Sequence, residues 1–101
     1  MLRSVVGFQW DHANRDKCQK HGVSIEEIEE LFGRPVMALP DDAHSGRERR
    51  YRAIGRTQTD RHVFIVFTLR SSADGRRIRP ISARFMHRKE VAHYEKENPE
   101  F

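Results

Sequence analysis

Between Arg76 and Tyr94 the chain reads RRIRPISARFMHRKEVAHY: five arginines, two histidines, one glutamate and one tyrosine around a single strand–helix junction. Packing alone does not require that set. A guanidinium presents a rigid fork of donors that fits phosphate or carboxylate. Cleavage of RNA by its own 2′-hydroxyl needs a base for that hydroxyl, positive charge on the phosphate and a proton for the leaving oxygen. Arginines supply the charge but hold their protons too tightly to carry them. Arg79, Arg84 and Arg88 are therefore candidates for phosphate binding, and the proton work falls to His21, His62, His87 or Glu90. Glu90 has a second reading, as the ion-pair partner that fixes Arg84 or a sheet arginine. Tyr94 also reads as a core residue with its hydroxyl at the rim.

A second group lies near the start. Lys17 and His21 are four residues apart, a spacing that shares a helix face. A histidine there can move a proton near neutral pH, and the lysine beside it can hold phosphate. The same two residues also suit a helix C-terminus, where cations meet the last carbonyls. The six histidines lack metal-ligand spacing, and no phosphate-binding glycine loop is present, so no cofactor is expected.

The charge is unevenly placed. Residues 47–89 carry thirteen basic and three acidic residues, while residues 1–46 carry five basic and eight acidic ones. Fifteen of the nineteen basic residues are arginine, which points to a polyanion or an acidic partner rather than to a merely soluble surface. At 101 residues the chain suits one domain, 1–101, with one core. No apolar run is long enough to span a membrane, and the N-terminal MLRSVVGFQWD lacks the pattern of a signal peptide. The single Cys18 forms no internal disulfide, and a reducing cytoplasm is the expected compartment.

These residues must be positioned by a small set of elements. Val5 to Trp10 reads as a strand, and Asp11 as the cap of a short polar helix over residues 12–20 that Gly22 ends. VSIEEIEELFG carries the clearest local signal: Ser24 and Glu27 form a capping box, and Ile25, Ile28, Leu31 and Phe32 make one apolar stripe. Val36 to Leu39 reads as a short strand and Arg49 to Ile54 as another. HVFIVFTL, His62 to Leu69, is apolar on both faces, which predicts a central strand covered on each side. After a turn over Ser71 to Gly75, Ile78 to Phe85 returns. Simple alternation puts Arg79, Ile81, Ala83 and Phe85 on one face and Ile78, Pro80, Ser82 and Arg84 on the other. Pro80 lacks an amide hydrogen, so this strand should be an edge or be bulged there. A last helix runs from about His87 to Lys96, with His87, Val91 and Tyr94 on its buried side. The whole predicts an α+β fold, with short N-terminal helices and a C-terminal helix packed on a twisted, mainly antiparallel sheet.

Several stretches occur in a familiar order. They are Phe8-x-Trp10-Asp11, Asn14, His21-Gly22-Val23 with the Glu26-Glu27 helix, Arg49-Arg50-Tyr51, Gly55-Arg56-Thr57, Phe67-Thr68, Ile81-Ser82-Ala83-Arg84 and Arg88-x-Glu90-x-x-x-Tyr94. In this order the chain resembles the BrnT toxins of bacterial type II toxin–antitoxin modules, over nearly its whole length. The resemblance implies a RelE/ParE-like fold and an RNA-cleaving activity that inhibits translation. It implies an antitoxin with a ribbon-helix-helix DNA-binding domain, and contact with operator DNA only through the antitoxin complex. Matched residue by residue, it implies an active surface of His21, Arg70, Arg84 and Glu90, supported by Tyr94. Lys17, Arg61, Arg79 and Arg88 complete the expected RNA contacts. Asp60-Arg61-His62 stands where a glycine–arginine pair is commoner in that family.

Two functions follow. In the first the chain is a metal-independent endoribonuclease: Arg70, Arg79 and Arg84 hold the scissile phosphate, His21 carries a proton, and Glu90 orients an arginine or acts as base. In the second the arginine surface is noncatalytic and receives an acidic antitoxin segment within an autoregulatory complex.

Overall fold

The computed structural model describes residues 5–99. The reading of the extreme N-terminus against a signal peptide falls partly on residues 1–4, outside those described. No described helix is long and apolar enough to cross a membrane.

The elements run β1 (Val5–Phe8), α1 (His12–Gln19), α2 (Ile25–Phe32), β2 (Met37–Pro40), β3 (Arg50–Arg56), β4 (His62–Ser72), β5 (Gly75–Phe85) and α3 (Arg88–Glu97), with a short 3-10 turn at Asp42–His44. The strands form one sheet in the order β1-β5-β4-β3-β2, antiparallel except where β1 runs parallel to β5. This is the expected α+β arrangement of the RelE/ParE type, with β4 at its centre.

The helices start where side chains can satisfy free amides. The Asp11 carboxylate accepts from the Asn14 amide at 3.0 Å, and the Asn14 side chain accepts from the Asp11 amide at 2.7 Å. Ser24 and Glu27 make the same reciprocal pair at the head of α2, both bonds at 3.0 Å. Caps of this kind typically contribute about 1 kcal/mol. The buried Asn14 also donates to the carbonyls of Gln9 and Pro80 at 3.0 and 2.9 Å, tying α1 to β5.

One face of the sheet carries the core. Val63, Ile65 and Phe67 of β4 are wholly buried with Ile28 and Leu31 of α2. Gly55 allows the close approach, since a Cβ there would come within 2.7 Å of the Leu31 side chain. The other face of β4 is covered less than its sequence suggests. Phe64 and Val66 are only half-buried, because α3 reaches that face mainly at the His62 end, where the Tyr94 ring meets the His62 ring edge-on. The apolar character of β4 on both faces thus reflects a partly open sheet and not full cover.

The largest departure from simple alternation is in β5. Phe67 pairs with Pro80 and Val66 with Ser82, so Ile81 is an extra residue and the strand is bulged beside the proline. Beyond the bulge the faces exchange: Ile78, Pro80 and Ala83 are buried together. Arg79 lies opposite Thr68 and Arg84 opposite Phe64, residues of one β4 face. The two arginines that alternation separates therefore share a face.

The smaller boundary changes have local causes. Trp10 lies beyond β1, whose pairing to β5 ends near Ile78. Helix α1 stops at Gln19, so His21 lies past it and does not share a helical face with Lys17. His87 is the exposed N-cap of α3 and not part of its buried side.

Candidate active site

Strand β5 delivers Arg84 to the half-open face, and the first turn of α3 delivers Glu90 to meet it. The guanidinium binds the carboxylate end-on, Nη1 to Oε1 at 2.8 Å and Nη2 to Oε2 at 2.9 Å. Glu90 also accepts the His87 amide at 2.9 Å. Its place in the first turn of α3 therefore gives the carboxylate a hold that does not depend on Arg84. The Arg84 hydrogen bonds, then the His87 amide, hold the Glu90 carboxyl down to about 2, and Glu90 in turn raises Arg84. A carboxylate so placed is a weak proton acceptor at neutral pH. What it does well is orient Arg84.

An end-on grip uses one N–H of each terminal nitrogen. An arginine has five, so the Nε–H and the outer pair remain. The two side chains are 38% and 36% exposed, which leaves those donors open to an oxyanion. The Arg84 guanidinium also lies over the Phe64 ring, 5.0 Å from its centre. A charge held by a carboxylate on one side and an aromatic ring on another is pre-aimed, which is what stabilising a phosphorane requires.

Arg70 is elsewhere. It sits opposite Arg77, and six residues of β4 separate it from Phe64, the partner of Arg84. At the rise of a strand this is about 20 Å. Its Nε and Nη2 bind Glu48 at 3.0 and 3.3 Å, and Nη1 binds the Gln9 side chain at 3.3 Å. Arg70 and Arg84 therefore do not converge on one phosphate in this structure.

The other candidates divide in the same way. Arg79 is paired with Asp11 at 2.8 Å and its side chain is only 14% exposed, so it serves chiefly to hold the head of α1 against β5. Lys17 and His21 are exposed near the end of α1, and among the described residues no hydrogen bond or ion pair joins His21 to Arg70, Arg84 or Glu90. Arg61 stacks on Phe85 at 3.5 Å, and with Arg88 it lines a cleft of about 350 Å³ beside α3. Tyr94 is buried against His62. Among the described residues no three of His, Cys, Asp or Glu gather as a metal site. Cys18 is buried in the core, and burial pushes its thiol up to about 11, as an apolar core cysteine requires.

The family model described as the ribonuclease toxin BrnT of type II toxin–antitoxin systems matches residues 10–90. The chain belongs to the BrnT family. It is a ribonuclease toxin, RNA is its substrate, inhibition of translation is its effect and an antitoxin is its partner. No curated protein matches the chain. The BrnT match takes in His21, Arg70, Arg84 and Glu90 and stops short of Tyr94.

Sequence reasoning missed the acids at the Arg70 end. Glu48 belongs to no motif, Asp11 reads as a helix cap and not as an arginine's partner, and their arginines lie 22 and 68 residues away in sequence. It named His62 as one proton carrier among four but gave it no place in the site. Its pairing with Tyr94 depends on how α3 crosses the sheet.

Proposed function

We propose that this BrnT toxin cleaves RNA at Arg84, with Glu90 as the residue that positions it. The supporting observation is the end-on pair, which fixes the guanidinium while leaving three N–H donors for the scissile phosphate. Arg84 neutralises the charge that grows on the phosphate as the 2′-oxygen attacks. Proton transfer falls to His87, which lies beside the pair, while His21, past the end of α1 on the core side of the sheet, contacts RNA away from the cleaved bond. Arg61 and Arg88 guide the strand along α3. Arg70 and Lys17 contact RNA away from the cleaved bond, where charge attracts a polyanion whatever its sequence.

Such a reaction leaves a 2′,3′-cyclic phosphate and a 5′-hydroxyl and draws its positive charge from arginine. The purified chain should therefore cleave single-stranded RNA to those ends in excess chelator. Loss of cleavage on chelation, or 5′-phosphate ends, would contradict the mechanism. The antitoxin is expected to carry a ribbon-helix-helix domain and to place an acidic segment on the basic face. Operator DNA is then bound through the antitoxin alone. A gel-shift with the toxin, the antitoxin and the complex checks this: only samples containing antitoxin should bind.

A further inference from the structure

A pocket of about 300 Å³ opens between α3 and the β3 side of the sheet, lined by Arg34, Pro35, Ile54, Arg56, His62 and Tyr94. Tyr94 is 7% exposed and His62 8%. The Tyr94 hydroxyl and the His62 Nε2 are both buried without a hydrogen-bond partner in the protein. A buried polar atom left unpaired is destabilising, and two in one pocket call for a ligand. Each can donate or accept. Ile54 and Pro35 supply apolar wall. The arginines already have partners: Arg34 donates to the Thr57 carbonyl at 3.3 Å, and Arg56 pairs with Asp60 and Glu95 at 3.1 and 3.3 Å. The site thus favours a flat heterocycle with polar edge atoms over a bare phosphate.

Its location adds to this. His62 lies two residues before Phe64 on the same face of β4, about 7 Å away. Arg84 lies over Phe64. On its other side His62 lines the cleft that holds Arg61 and Arg88. We propose that this pocket takes one nucleobase of the RNA, next to the phosphate held by Arg84, and that the Tyr94 hydroxyl and His62 Nε2 read its edge. The inference rests on Arg84 as the phosphate centre, and it makes the pocket the source of base preference.

The test uses the full chain as wild type, Tyr94→Phe, His62→Gln and Arg84→Ala. Adenosine, cytidine, guanosine and uridine are titrated separately while the ring signals of residues 62 and 94 are followed by NMR. Cleavage is then compared on RNAs that differ in the one base beside the cut. One nucleoside should move both ring signals, and Tyr94→Phe should weaken its binding about tenfold, the effect of one lost hydrogen bond. The base preference should fall by a similar factor in Tyr94→Phe and in His62→Gln. Tyr94→Phe removes only an unpartnered oxygen, so it should melt no lower than wild type. Arg84→Ala should lose cleavage and still bind the nucleoside. Ring signals unmoved by all four nucleosides, or a wild-type base preference in Tyr94→Phe, would overturn the pocket. Full cleavage by Arg84→Ala would instead overturn the assignment of Arg84, while the titration judges the pocket independently.

Discussion

The two ends of the β4–β5 hairpin each present an arginine bound to a carboxylate, yet they differ in how many donors they keep. Arg84 meets Glu90 end-on and retains its Nε–H. Arg70 meets Glu48 side-on through Nε and Nη2 and gives Nη1 to Gln9, so each of its three nitrogens is engaged and two N–H donors remain, against three for Arg84. The supports differ as well. Glu90 is fixed by the first turn of a helix and by the His87 amide, whereas Glu48 lies in the connection before β3. An arginine held firmly with donors free suits a reacting phosphate. One whose nitrogens all have partners suits a passing contact that forms when RNA displaces them.

The contrast depends first on the bulge that turns Arg79 and Arg84 to one face. Inserting one residue between Val66 and Phe67 gives Ile81 a partner and forces one half of the hairpin to reverse its faces, driving Phe67 or Ile65 out of the core. Loss of the cooperative thermal transition is expected. An unchanged melt would show that the register adapts elsewhere.

Arg70→Ala should have a smaller effect. RNA binding weakens on all sequences alike, and the slope of log affinity against log salt becomes shallower by about 0.7, the value for one single-strand phosphate. KM should rise more than kcat falls. Stability should scarcely change, since exposed pairs such as Arg70–Glu48 contribute about 0–1 kcal/mol. Salt titrations of wild type and variant measure this directly.

The smallest effect concerns acid. Glu90 is held well below its ordinary value of 4.5, at about 2, so its pairing stabilises the fold fully above 4.5. That contribution is lost as pH falls from 4.5 toward 2. Glu48 is lowered too, chiefly by its hydrogen bond to Arg70, and loses its share as pH falls below 4.5. Glu90→Gln should therefore lower the melting temperature at pH 7 and converge with wild type near pH 2. A constant difference across that range would exclude the charge pair as the cause.

The parts of this picture legible in sequence were local ones. Asp11 and Ser24 announce their helices because a cap acts on residues three positions away. The His62–Leu69 run marks the central strand because burial needs continuous apolar residues. The proline signalled irregularity in β5, but where the extra residue falls is set by pairing to β4, which no local pattern contains. For the same reason Arg84 and Glu90, six residues apart, could be paired from the sequence, while Arg70 with Glu48, Arg79 with Asp11 and His62 with Tyr94 could not. Those contacts arise from strand order and from the crossing of α3. The site divided between two ends of a hairpin is accordingly a property of the fold.

The most direct measurement compares RNA cleavage by purified wild type, Arg84→Ala and Arg70→Ala, with folding of each confirmed by its thermal melt. Removing a preorganised charge from the transition state should lower kcat about 100- to 1,000-fold in Arg84→Ala, with Arg70→Ala far closer to wild type. An Arg84→Ala protein that cleaves within a few-fold of wild type, or a greater loss in Arg70→Ala, would place the chemistry at the other end of the hairpin.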